Sequence, residues 1–71
     1  MRAQGRSPRL DKLLGELVTI TFKNGKEELG VLEWNMLRQG IPSERYSLYI
    51  FGQGYHFFRK AQVFSIEEWR G

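Results

Sequence analysis

Leu17-Val18-Thr19-Ile20-Thr21-Phe22-Lys23-Asn24-Gly25-Lys26-Glu27-Glu28-Leu29-Gly30-Val31-Leu32 is the stretch that decides the fold class. Val18, Ile20 and Phe22 alternate with Thr19 and Thr21, which is the period of a half-buried strand rich in β-branched residues. Leu29 and Val31 resume an apolar pattern beyond Asn24-Gly25. An Asn-Gly pair between two such runs is the strongest short-range hairpin signal, because a two-residue type I′ turn needs positive φ at both central positions. Gly30 falls inside the second run, where a missing side chain marks a sharp bend or a close backbone approach. The stretch therefore reads as an antiparallel hairpin with a bent second strand.

Working outward, residues 8–14 read as a short helix. Ser7 can cap it, Pro8 suits its first position, Leu10, Leu13 and Leu14 share one face, and Gly15 ends it. Further strands are expected over 45–51, 55–59 and 62–67, joined by a hairpin connection at Gly52-Gln53-Gly54 and a tight turn at Lys60-Ala61. Residues 35–44 contain Gly40 and Pro42, break every period, and make the expected functional or variable loop. The organisation is a flexible basic tail, 1–7, followed by a single domain over 8–71.

A chain of 71 residues buries only about 60% of its unfolded surface, so self-association is an expected source of stability. No cysteine is present for a disulfide or thiolate site, and His56 is the single histidine, so neither a metal nor another cofactor is expected. No apolar run is long enough to span a bilayer, and the expected setting is cytoplasmic, away from any membrane. The net charge of +3 is carried by the first nine residues, which hold Arg2, Arg6 and Arg9 and no acid; residues 10–71 hold eight basic and eight acidic side chains. Such a tail can improve solubility or add phosphate contacts.

Catalysis has little to stand on. His56 has no Asp, Ser or Cys beside it in sequence and reads as a structural or surface residue. Glu27-Glu28 and Glu67-Glu68 are adjacent pairs that point to opposite faces of a strand and cannot form a dyad. The expectation is a protein that is not an enzyme. Tyr49, Phe51, Tyr55, Phe57 and Trp69 supply more large apolar groups than one small core can enclose, which points to an interface. Tyr55, Phe57 and Phe58 are its candidate residues.

Val18, Ile20, Phe22, Asn24-Gly25, Gly30 and Leu32, together with Phe57, Phe58, Arg59, Lys60, Val63 and Ile66, resemble the two motifs of the Sm-like family of small β-barrels. The resemblance covers most of residues 10–67 and is shared in part with SH3-like modules. It implies an all-β fold: a strongly bent, five-stranded Sm-like barrel with a short N-terminal helix, assembling as a homo-oligomer through its fourth and fifth strands. It also implies binding of single-stranded RNA. Arg59 carries over by position, Lys60 replaces the family's glycine, and the aspartate that helps hold a uracil base has no counterpart in Trp34-Asn35-Met36-Leu37-Arg38. Arg59, Lys60, Asn35, Lys23 and Lys26 are the candidate nucleic-acid-binding residues. The competing expectation is a protein-interaction or structural module with no nucleic acid. Proteins of this appearance also resemble products of bacterial phage and mobile elements.

Overall fold

A computed structural model describes residues 6–35 and 45–70. Helix α1 (Pro8–Asp11) is followed by strands β1 (Leu17–Phe22), β2 (Glu27–Asn35), β3 (Arg45–Ile50) and β4 (Gly54–Phe58), a 3-10 turn (Lys60–Gln62) and strand β5 (Val63–Glu68). The helix is shorter than the leucine spacing suggested: beyond Asp11 the chain continues in three-residue turns, with Leu13 and Leu14 donating to the carbonyls of Leu10 and Asp11. Ser7 supports its start through its backbone carbonyl, which accepts from the amides of Leu10 and Asp11, and not through its hydroxyl.

All neighbouring strands are antiparallel, in the order β4-β3-β2-β1-β5. The alternation in β1 is realised as expected, with Val18, Ile20 and Phe22 buried and the residues between them half-buried. The β1–β2 connection differs in detail. Phe22 N–H donates to the Lys26 carbonyl and Gly25 N–H to the Phe22 carbonyl, which gives a three-residue loop with Gly25 at φ +93° in place of the two-residue turn. A type I turn closed by a left-handed residue fits the strand twist equally well.

Gly30 is needed for space. A Cβ there would lie 2.4 Å from the Tyr49 carbonyl oxygen and 2.9 Å from Leu48 Cγ, so β3 approaches β2 more closely than a residue with a side chain permits. The sheet bends with it. The rings of Phe22 on β1 and Phe58 on β4 meet at 5.2 Å, although in a flat sheet their strands would stand roughly 14 Å apart. Leu10, Val18, Ile20, Phe22, Leu32, Tyr46, Leu48, Phe58 and Val63 form the core on that inner side, with Leu13, Leu14, Trp34, Ile50 and Ile66 packed at its margin.

The barrel expectation fails at the ends of this sheet. β4 and β5 are its two outer strands and do not pair with each other, so the architecture is an open five-stranded antiparallel sheet with a short N-terminal helical turn. The local patterns shared with Sm-like proteins specify individual strands and a hairpin. Closure depends on whether the first and last strands of the sheet meet, which no local pattern encodes.

The N-terminal turn is tied to β3 by a polar cluster. Tyr46 donates its hydroxyl hydrogen to Asp11 Oδ1 at 2.6 Å and accepts the Ser7 amide at 2.8 Å. Arg6 pairs with Asp11 at 3.0 Å and lies over the Trp34 ring at 4.5 Å. Arg6 and Ser7, assigned to the tail from sequence, are thus held against the domain, while residues 1–5 of that tail and residues 36–44 of the long loop lie outside the described residues.

Candidate functional site

The outer side of the β3–β4 hairpin carries an aromatic cluster. Cross-strand pairing places Val31 beside Tyr49 and Tyr49 beside Tyr55, so these residues share the face opposite the core. Tyr49 meets Phe51 at 5.4 Å and Tyr55 at 5.1 Å, and Tyr55 stacks on Phe57 at 6.4 Å. Phe51 is 68% exposed, Tyr55 57% and Phe57 40%. On β5 and just beyond it, Phe64 and Trp69 are exposed as well. Phe58, named from sequence with Tyr55 and Phe57, points the other way; it is 1% exposed and offers no outer surface.

The basic candidates lie at strand ends. Lys23 and Lys26 occupy the β1–β2 turn, where the Lys23 amide donates to the Gln62 carbonyl and so docks that turn on the segment after β4. They border a cleft of about 380 Å³ with Phe22, Glu28, His56 and Gln62. His56 Nδ1 donates to Glu28 Oε1 at 2.6 Å across the intervening strand, over the ring of Phe22 at 5.4 Å. Both groups are partly solvated, so the contact is worth at most ~1 kcal/mol. Arg59 and Lys60 follow β4 and are exposed; Gln62 Oε1 accepts the Arg59 amide, and the Lys60 ammonium donates to the Arg6 carbonyl. Asn35 closes β2, opposite Arg45.

The structure therefore brings Lys23 and Lys26 together at one cleft and sets Arg59 and Lys60 at the end of β4. Sequence reasoning missed the Glu28–His56 contact, which joins strands that are not neighbours in the sheet. The only signal for it is that both residues alternate onto the inner face. Among the described residues no cluster of three or more His, Cys, Asp or Glu side chains could hold a metal ion. No helix among them is long and apolar enough to cross a membrane.

Comparison with known proteins finds no match among family models, curated proteins or solved structures. The Sm-like assignment, and with it the looser likeness to phage and mobile-element products, is thus overturned by the open sheet and has no support from relatives. The reading as an oligomeric, RNA-binding Sm-like module falls with it.

Proposed function

We propose that this protein is a protein-interaction module with no reaction of its own, which holds a polypeptide partner on the outer side of the β3–β4 hairpin. One observation carries the reading. Tyr49, Phe51, Tyr55 and Phe57 form a continuous contact chain that leaves three of its four rings exposed, on the hairpin that ends the sheet. Leaving that much aromatic surface in water costs free energy unless a partner covers it. A chain without cysteine suits the reducing cytoplasm, where we place it.

Selection of displayed polypeptide fragments on the immobilised full chain tests the proposal. Binders should be enriched, and they should lose the Tyr55→Lys and Phe57→Lys variants while keeping Phe64→Lys, whose side chain projects from β5. Enrichment of no fragment, or of fragments indifferent to Tyr55 and Phe57, would remove the proposal.

A further inference from the structure

The two ends of the sheet are built differently. β5 carries an irregularity in its pairing with β1 between Thr21 and Phe22, and it finishes on the exposed acids Glu67 and Glu68. Bulges and charges are the devices by which an end strand avoids pairing with another chain. β4 has neither. Its register with β3 runs from Gly54 to Phe58 without a shift, and Gly54-Tyr55-His56-Phe57-Phe58 contains no Lys, Arg, Asp, Glu or Pro. A regular outer strand of this kind presents alternate N–H and C=O groups to an incoming strand, which is how extended peptides add to a sheet.

Charge narrows the choice of strand. Residues 45–66 hold Arg45, Arg59 and Lys60 and not one acid. Arg59 and Lys60 come directly after β4, and among the described residues the Lys60 ammonium is bonded to a neutral carbonyl and pairs with no acid. A segment with acidic residues beside that end of β4 is electrostatically matched, and a basic one is repelled.

We propose that β4 receives an extended segment of the partner polypeptide as a sixth strand. The segment runs antiparallel, in keeping with every other pair in the sheet. Its N-terminal end carries acidic residues that face Arg59 and Lys60, and its outward side chains are apolar and extend the Tyr55–Phe57 cluster. This inference rests on the interaction reading above and specifies its ligand.

Three synthetic ten-residue peptides, titrated into the full chain and followed by backbone amide chemical shifts, provide the test. One begins with two glutamates and continues in alternating valine and threonine. The second begins with two lysines instead. The third repeats the first with every second amide N-methylated, made in both registers. The acidic peptide should perturb β4 amides and bind at least about five-fold tighter than the basic one at low salt. The preference should vanish or reverse in a protein carrying Arg59→Glu and Lys60→Glu, both surface positions, and N-methylation in one register should abolish binding. Equal affinity for acidic and basic peptides, indifference to N-methylation in both registers, shifts confined to β5, or no binding would each overturn the inference. So would a doubling of mass with concentration, since a second copy of the chain would then occupy the strand. Should the peptides fail while selected fragments still depend on Tyr55 and Phe57, the interaction module stands and only strand addition is lost.

Discussion

Tyr46 Oη lies 2.6 Å from Asp11 Oδ1, in the polar cluster that joins the N-terminal turn to the middle of the sheet. Tyr46 is fully buried, stacks edge-on with Trp34 at 4.8 Å, and also accepts the Ser7 amide. Partial burial pushes the Asp11 carboxyl upward, but hydrogen bonds from Tyr46 and Arg6 and the guanidinium charge outweigh it and hold the group below the usual carboxylate range. Burial, followed by the bond to Asp11, pushes the Tyr46 phenol above its ordinary value.

Tyr46→Phe should therefore cost about 1–3 kcal/mol, because it leaves Asp11 and the Ser7 amide short of a partner while keeping the ring. Urea denaturation measures this. Because the Asp11 pKa is lower folded than unfolded, its contribution is complete above the unfolded carboxylate value and is lost as pH falls through the folded one. Asp11→Asn should consequently be less stable than wild type at neutral pH, and the gap should narrow below about pH 4. A gap independent of pH would show that the carboxylate charge does not matter there.

Gly30→Ala and Gly25→Ala test two different needs for glycine. At Gly25 there is open space around a Cβ but φ is +93°, so alanine should cost about 1 kcal/mol in backbone strain. At Gly30 the Cβ would collide with the Tyr49 carbonyl, and the two strands must separate to admit it. The cost there should exceed that of Gly25→Ala, at about 2–3 kcal/mol or more. Equal denaturation midpoints for the two variants would contradict the close approach of β3 to Gly30.

Ser47 is fully buried beside Phe57, and its hydroxyl finds no hydrogen-bond partner among the described residues. Ser47→Ala removes that unpaired group and should leave stability unchanged or raise it by up to about 1 kcal/mol. A loss greater than that in thermal denaturation would mean that the hydroxyl is satisfied in solution.

The strands were legible because each is a local pattern. Val18, Ile20 and Phe22 alternate, and Gly30 interrupts a run that otherwise reads as continuous strand. Alternation puts Tyr55 and Phe57 on one face and Phe58 on the other without saying which face is outward, and turn position puts Lys23, Lys26, Arg59 and Lys60 at strand ends. What escaped was set at long range. Phe22 touches Phe58 across two intervening strands, and Glu28 meets His56 from 28 residues away, so neither pair falls within a short window. Whether β4 meets β5 is the same kind of question, and the motif resemblance answered it wrongly. The loop at Lys23-Asn24-Gly25 was missed by one residue because a two-residue and a three-residue hairpin both favour Asn-Gly.

Phe57 and Phe58 are adjacent in sequence and opposite in role, which gives the sharpest test of the division between fold and surface. Phe58 packs against Phe22 at 5.2 Å and Tyr46 at 6.1 Å in the core, and truncating it should cost about 3–5 kcal/mol. A domain of 71 residues has a total stability of roughly 4–10 kcal/mol, so Phe58→Ala should lose about a third of it or more and melt well below wild type. Phe57→Ala should stay within about 1 kcal/mol of wild type, since its ring is 40% exposed in the outer cluster. Circular dichroism melts of both variants, together with binding of the selected fragments by Phe57→Ala, separate the two contributions. A folded Phe57→Ala that has lost its binders would assign that side chain to the partner surface; comparable destabilisation by the two substitutions would mean that the outer aromatic cluster belongs to the core.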